Sequence, residues 1–160
     1  MRAIVLCGCL LLLGCLDDVS PAKQLNEAVN EMNKATRWGQ LGTAAQMVEP
    51  TYRAQFADKH RHWGSQVQVA DAEIMHIELQ PGEETAVAVI AYQWYEMSAM
   101  TLHQTVVRQR WSRVDGGYTL ISEAIIQGDE RIFKRAAETS GGEVAPPELM
   151  SDPLIGSAGG

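Results

Sequence analysis

Two histidines separated by one residue are the first side chains in this sequence that could do chemistry. His60 and His62 flank Arg61, and imidazole nitrogens are common zinc ligands. Side chains two positions apart on a helix do not converge on one ion, and no cysteine or acidic residue lies at a useful ligand spacing. We therefore predict no metal site here. Instead, we interpret Lys59, His60, Arg61 and His62 as cations that the dipole at a helix C-terminus favours.

Arginines close together in the second half of the chain could bind an anion. Arg108 and Arg110 share one face of a predicted strand, and Arg113 follows on the same strand. Gln104 and Ser112 on the same face are typical of ordinary solvent exposure instead, so both interpretations stay open. The sequence contains no serine nucleophile elbow, phosphate-binding P-loop, dinucleotide fingerprint or zincin motif. We therefore assign no catalytic residue, no metal and no cofactor from motifs.

The N-terminus carries the pattern of a secretory signal. Arg2 is followed by an apolar run from Ala3 to Leu13, which Asp17 and Asp18 end abruptly. One cation before a short apolar stretch is typical of a leader that is cleaved on export, and the run is shorter than the about 20 residues that span a bilayer. The alternative is a buried N-terminal helix, but such a helix would show a polar face, and this one has none.

The end of this leader is more specific than the run itself. The segment Leu12-Leu13-Gly14-Cys15 resembles the lipobox of bacterial lipoproteins, in which aliphatic and small residues precede an invariant cysteine. The resemblance implies cleavage after Gly14 and lipidation of Cys15, which becomes the new N-terminus. A cut before Cys9 would leave too few apolar residues in the leader. Acyl chains such as palmitate anchor stably in pairs, at about 0.8 kcal/mol per buried CH₂.

The other cysteines and the residue after Cys15 refine this interpretation. Cys7 and Cys9 lie inside the leader, so the exported domain would have no disulfide and would depend on its core alone. In the lipoprotein family an Asp directly after the lipidated cysteine favours retention in the inner membrane. The residue there is Leu16, which favours the outer membrane, facing the periplasm, although Asp17 follows at once.

The net charge excludes one class of partner. The chain has 13 Lys+Arg and 20 Asp+Glu, a formal net charge of −7, and removal of Arg2 makes it one unit more negative. An acidic domain repels phosphate backbones, so we predict no nucleic-acid binding. Anionic lipid surfaces are equally unattractive, so the lipid on Cys15 would supply the membrane affinity.

Three helices are predicted in the first part of the exported chain. Ser20 and Pro21 are typical of an N-cap and a first helical position, and apolar residues then follow at helical spacing: Leu25, Ala28, Val29, Met32 and Ala35. A second helix runs from Leu41 to Glu49, where Pro50 ends it. A third opens at Pro50, has Gly64 as its C′ residue and carries an inward stripe: Tyr52, Phe56, His60 and Trp63.

Four strands follow, since the apolar period changes to two after Ser65. The predicted ranges are 66–80, 85–97, 101–114 and 118–127. In the first strand we place Val67, Val69, Met75, Ile77 and Leu79 on one face. Asp71 and Glu73 interrupt that face, which predicts a bulge near Ala70–Ala72. The turn Asp115-Gly116-Gly117 is a strong hairpin signal.

The domain organisation follows from these elements. We predict a signal peptide over 1–14, a lipidated tether over 15–20, one domain over 21–139 and a disordered tail over 140–160, which is rich in Gly, Ser, Pro and Glu. Asp129 is expected to cap a short last helix with Ile132, Phe133, Ala136 and Ala137 on its inner side. Helices followed by sequentially adjacent strands predict an α+β domain, with the helices packed on one face of an antiparallel meander.

This order of elements over about Pro21 to Gln127 resembles the NTF2-like or cystatin-like superfamily, in which helices cover a curved sheet to form a cone. One departure is that no short strand is predicted between the second and third helices, where many members have one. The resemblance rests on element order, so it implies a fold rather than a function.

The resemblance also implies where a catalytic base would lie. Several enzymes of this superfamily place an Asp or His inside the cone, where apolar surroundings raise the pKa of a carboxyl group. The candidate bases here are Asp71, Glu73, His76, His103 and Glu123. His103, Val107 and Trp111 share a face that would suit a pocket wall, which gives the candidate pocket Tyr92, Trp94, His103 and Trp111. The alternative is a solvated sheet face, or a core histidine that its neighbours satisfy.

The second strand is apolar on both faces. Val87, Val89, Ala91 and Tyr95 alternate with Ala86, Ala88, Ile90, Tyr92 and Trp94. Helices can cover only one face, so the other is expected to meet a second copy, a protein partner or the C-terminal segment of the same chain. The sequence thus predicts a lipid-anchored envelope lipoprotein with a non-catalytic binding or assembly domain. The alternative is a small-molecule-binding protein or an enzyme of the SnoaL-like or ketosteroid-isomerase-like type.

Overall fold

The computed structural model describes residues 20–133. The predicted leader, Cys15, the tail over 140–160 and the last two positions of the predicted final helix, Ala136 and Ala137, lie outside them. Within the described residues, helices come first and a four-stranded antiparallel sheet follows. The predicted α+β class is therefore confirmed.

The first helix, α1 (Pro21–Arg37), begins as its sequence predicts. The Ser20 hydroxyl accepts a hydrogen bond from the Lys23 amide at 3.4 Å, and Pro21 is the first helical residue. Four residues of the predicted stripe are buried against the sheet and Ala28 is partly buried, and two polar residues, Asn33 and Thr36, are buried with them. Most of the helix's stability therefore comes from burial of this face rather than from intrinsic propensity.

The next two helices are shorter than predicted. Helix α2 (Leu41–Ala44) tightens into a 3₁₀ turn (Ala45–Met47) and stops before Val48, which adopts an extended conformation and forms a single parallel bridge with Leu120. The prediction that this helix reaches Glu49 is wrong because the backbone of Val48 pairs with the sheet. Helix α3 (Arg53–Lys59) starts three residues after Pro50.

The sheet is a meander of consecutive hairpins. Its strands are β1 (Val67–Leu79), β2 (Thr85–Glu96), β3 (Leu102–Val114) and β4 (Gly117–Gly128), in the spatial order β1-β2-β3-β4. Asp115 and Gly116 both have positive φ, 50° and 80°, as a two-residue hairpin turn of the twisted type requires. At the end of β4, Gly128 has φ +99°, and a Cβ there would overlap the carbonyl oxygen of Gln104.

Two bulges in β1 decide which of its residues face the helices. The predicted irregularity lies between Val69 and Asp71, and a second one lies between Ile74 and His76. Because each bulge reverses the alternation of side chains, Ala72 and Ile74 pack on the core and Met75 is 59% exposed. The prediction that Met75 shares the inner face is therefore wrong.

The core fills the space between the helices and the inner face of the sheet. Its largest fully buried side chains are those of Trp94, Trp111, Tyr92, Phe56, Leu25 and Met32. Burial of each such side chain stabilises the fold by about 1.5–3 kcal/mol. A last 3₁₀ turn (Glu130–Phe133) closes one end, with Ile132 buried. No helix between residues 20 and 133 has both the length and the apolar content needed to cross a membrane.

Candidate functional site

A carboxylate inside the protein is the centre of the candidate site. Glu123 lies on β4 opposite Gln109 of β3, and both side chains point toward the helices. A bulge at Ile121 sets this orientation, since Leu120 pairs with Trp111 and Ser122 pairs with Arg110. The extra residue reverses the alternation after Leu120, so Glu123 and Ile125 turn inward.

Three neutral side chains form a hydrogen-bonded network that reaches one oxygen of this carboxylate through Gln109. The amides of Asn33 and Gln109 exchange two hydrogen bonds, of 3.2 and 3.1 Å, and Gln109 Nε2 also donates to Glu123 Oε1 at 3.2 Å. The Tyr92 hydroxyl donates to Asn33 Oδ1 at 2.5 Å. Burial, together with the charge of Glu123, raises the pKa of Tyr92 well above its usual range. These bonds connect α1, β2, β3 and β4 through their side chains.

His60 faces the other oxygen of the carboxylate. Its Nε2 lies 3.6 Å from Glu123 Oε2, and the side chains of both residues are completely buried. Its Nδ1 lies 2.8 Å from the carbonyl oxygen of Phe56. A carbonyl oxygen only accepts hydrogen bonds, so Nδ1 carries a hydrogen, and in the neutral imidazole Nε2 has none.

His60 Nε2 and Glu123 Oε2 face each other without a hydrogen bond. In the neutral imidazole the lone pair of Nε2 faces a carboxylate oxygen, and neither atom has a hydrogen-bond partner among the described residues. Burial lowers the pKa of His60, and the charge of Glu123 acts in the opposite direction. Burial is the larger effect, so the folded chain favours the neutral imidazole.

A lysine at the protein surface binds the backbone of the same residue. Lys59 Nζ donates to the backbone oxygen of Glu123 at 2.7 Å and to the Tyr52 hydroxyl at 3.0 Å. The Glu123 amide also donates to that hydroxyl, at 3.1 Å. Partial burial lowers the pKa of Lys59, whereas burial and the charge of Glu123 raise the pKa of Tyr52. Lys59 thus offsets part of the negative charge of Glu123.

Aromatic rings surround the ring of His60 beside Glu123. The His60 ring lies 4.1 Å from the Phe56 ring, 4.5 Å from that of Trp63 and 5.1 Å from that of Phe133. Trp63 Nε1 donates to the carbonyl oxygen of Ile132 at 2.8 Å, which fixes the last 3₁₀ turn over this end of the site. A substrate would have no room beside the two reactive atoms in this packing.

Two open clefts lie next to the network, one beside Glu123 and one beside Asn33. One, of about 360 Å³, is lined by Lys59, Glu123, Ala124, Ile125, Glu130 and Phe133. The other, of about 260 Å³, lies between α1 and β1, and its lining includes Asn33, Lys34, Arg37 and the exposed Trp38. Neither cleft exposes the carboxylate of Glu123 or the ring of His60, since both side chains have no accessible surface.

The structure separates the five candidate bases. Glu123 alone is enclosed. Asp71 forms an ion pair with Arg37 at 2.9 Å, and Glu73 and His76 are exposed on the face away from the helices. His103 lies at the margin of the inner face, with Nδ1 3.4 Å from Asp129 Oδ2, and Arg131 holds the same Asp129 carboxylate with Nη2 at 2.6 Å.

The four candidate pocket residues share the inner face but do not enclose a pocket. Tyr92, Trp94 and Trp111 are fully buried in the core, and the His103 ring stacks on Trp94 with centroids 4.7 Å apart. Trp94 Nε1 donates to Thr105 Oγ1 at 3.0 Å, and that hydroxyl donates to the backbone oxygen of Asp129. These residues support the fold next to the network rather than line an empty space.

Three residues of the candidate site were not predicted as site residues. Asn33 occupies a core position of α1, and Gln109 follows Thr105 and Val107 in the inward alternation of β3. His60 was placed in the inward stripe of the third helix, and this is confirmed. The interpretation of His60 as a cation at a helix terminus is wrong, because its side chain is fully buried.

The described residues contain no group of three or more His, Cys, Asp or Glu side chains placed to hold a metal ion.

Comparison with known proteins gives the fold alone. No family model and no curated protein matches this sequence. A solved structure of a SEC-C motif-containing protein from Rhodopseudomonas palustris is similar, with a TM-score of 0.50 and 9% identity over 59% of this chain and 72% of that chain. At this identity the similarity shows a common α+β arrangement of helices and antiparallel sheet.

Proposed function

We propose that this chain is a lipid-anchored lipoprotein of the cell envelope, whose domain serves binding or assembly rather than catalysis. The observation that carries the second part is the filled inner face of the sheet. The groups suited to acid–base chemistry, His60 and Glu123, are completely buried and surrounded by aromatic rings. An active site of this kind needs an accessible cavity beside its base, and here side chains occupy that space.

The lipid anchor is proposed from the lipobox at Leu12–Cys15, and the NTF2-like cone from the order of elements. Helices on one face of a bulged antiparallel meander support the cone. The single bridge of Val48 with Leu120 lies between the second and third helices, where many members of that superfamily have a short strand. Leu16 after the cysteine supports the outer membrane, facing the periplasm.

The anchor is tested by mass spectrometry of the full chain extracted from bacterial membranes. The expected mass lacks residues 1–14 and carries acyl groups on Cys15. The Cys15→Ser variant should leave the membrane fraction and lose the acyl mass. Retention of this variant in the same fraction, with its leader removed, would refute the anchor.

The alternative of a small-molecule-binding or ketosteroid-isomerase-like protein has one observation in its favour. Glu123 and Lys59 line the cleft of about 360 Å³, which lies next to the buried pair. Opening of the last 3₁₀ turn would be needed before a ligand could reach His60. Hydrogen exchange of the Ile132 and Phe133 amides tests this, because protection equal to that of the core strands would exclude such access.

A further inference from the structure

The face of the sheet that points away from the helices carries a line of small apolar side chains. Val87 and Val89 on β2 are only partly buried, and Ala91 follows them on the same face. Within the described residues no helix lies over this face. Since β2 is the second of four strands, this line runs along the interior of the sheet rather than along an edge.

Charges of opposite sign flank this apolar line. Cross-strand partners project from the same face of a sheet, and the row through Val87 contains Glu78 of β1 and Arg110 of β3. The next row places His76 and Arg108 on either side of Val89. In the following row, Glu73 is the β1 partner of Ala91. The exposed face is thus acidic along β1 and basic along β3.

Most charged side chains on this face form no ion pair within the described part of the chain. The side chains of Arg108, Arg110 and Glu73 form no hydrogen bond or ion pair there, and Glu78 contacts only His76, at 3.5 Å. Glu78 and Arg110 are two strands apart, about 10 Å at the backbone, with Val87 between them. A partner that approaches this face can therefore meet both columns of charge.

When two copies of this face pack together, opposite charges meet about one of two possible two-fold axes. A two-fold axis parallel to β2 and above it places β1 of one copy over β3 of the other, so Glu78 faces Arg110 of the partner subunit, and this contact occurs twice. Glu73 then lies one row from Arg108 of the partner subunit. A two-fold axis perpendicular to the strands would place β1 over β1 and bring like charges together. Valine and alanine side chains on the axis suit the about 10 Å spacing of packed sheets.

We propose that two copies of this chain pack face to face about the axis along β2. This inference rests on the proposed role in assembly and specifies its partner as a second copy. Val89 meets its symmetry mate on the axis, while the Glu78–Arg110 contacts form the two sides of the interface. The charge pattern fixes the orientation, and the apolar line excludes water from the centre.

Charge exchange in the full, membrane-extracted chain tests the interface. We expect a dimer by sedimentation, and Glu78→Arg or Arg110→Glu alone should weaken it by at least about tenfold because each introduces two like-charge contacts. The double variant restores opposite charges across the axis and should return to within about threefold of the parent. The Cys15→Ser chain, which removes the predicted lipid, excludes association through a shared detergent micelle.

A cross-link provides an independent test if a charge variant fails to fold. Packed sheets hold the two Val89 Cα atoms about 10 Å apart, beyond the reach of a disulfide, so a short bifunctional maleimide is used. Val89→Cys should be cross-linked into a dimer in the Cys7→Ser, Cys9→Ser, Cys15→Ser background, whereas Gln40→Cys on the helix side should not. A strict monomer, insensitivity of the dimer to both single reversals, or absence of restoration in the double variant would each overturn the inference. A monomer that still carries its acyl groups would leave the proposed anchor intact, so the two proposals fail separately.

Discussion

Replacement of the buried carboxylate by its amide should cost little, which is unusual for an enclosed charged group. In Glu123→Gln the side-chain oxygen can still accept from Gln109 Nε2, a bond of 3.2 Å. The new NH₂ group can donate to His60 Nε2, which lies 3.6 Å from the present oxygen and lacks a hydrogen when Nδ1 is bonded to Phe56. Glutamine thus supplies the hydrogen that this contact lacks. We expect a change in unfolding free energy within about 1 kcal/mol.

Truncation at the same position should behave differently. Glu123→Ala leaves His60 Nε2 without a donor, removes one of the bonds of Gln109 and opens a cavity. Gln109 keeps its bond to Asn33, so the loss at that residue is small. The lost hydrogen bond and the cavity together should cost about 3–5 kcal/mol. The test therefore rests on the difference in unfolding free energy between the amide and alanine variants.

Urea unfolding at pH 7 measures both variants, with the midpoint and the slope taken together. The matched control is Glu31→Gln, the same change at an exposed position of α1, which should shift stability by less than about 0.5 kcal/mol. If Glu123→Gln costs as much as Glu123→Ala, the charge of the carboxylate stabilises this site. The inference that His60 Nε2 lacks a hydrogen would then be wrong.

Three further predictions concern the acid response of His60, the end of β4 and the start of α1. Because burial lowers the pKa of His60, the unfolded chain takes up a proton near pH 6.5 that the folded chain refuses. Stability should therefore fall as pH drops below about 6.5, by up to about 1.4 kcal/mol per pH unit, and thermal unfolding of His60→Gln between pH 7 and 5 should show a flatter dependence. Gly128→Ala should lower stability by more than about 2 kcal/mol in urea unfolding, because its positive φ and the nearby Gln104 carbonyl exclude a side chain; an unchanged midpoint would contradict this. Ser20→Ala removes the N-cap acceptor of α1 and should cost about 1 kcal/mol, whereas Ser65→Ala, outside any helix start, should not.

Local signals predicted the elements of the fold well. Ser20 and Pro21 mark the start of α1 because a hydroxyl acceptor and a fixed φ act on the residues beside them. Asp115 and Gly116 define the last hairpin for the same reason, since the positive φ that both adopt is a property of the local chain. Local signals failed at Val48, which was predicted to be helical. Its extended conformation depends on a bridge to Leu120, far away in the sequence.

The candidate site was only partly predictable. Glu123 was named as a possible base, and its actual surroundings depend on the extra residue at Ile121, which periodicity alone does not locate. The network of Asn33 and Gln109 joins positions 76 residues apart, and no local pattern pairs two amides across that distance. His60 was open to two interpretations because its neighbours are charged, and the tertiary packing around Phe56 and Trp63 decided between them.

The bulge at Ile121 places one more residue between Leu120 and Glu123 than regular alternation along β4 would need. Loss of Ile121 would remove the bulge and leave Leu120 opposite Trp111 and Glu123 opposite Gln109, with both side chains still facing the helices. If β4 kept all its residues but paired regularly, Ser122 and Ala124 would face the helices and Glu123 would face water. A one-codon deletion at Ile121 should therefore be tolerated, whereas regular pairing of the unchanged strand would exchange an acidic interior for a nearly neutral one.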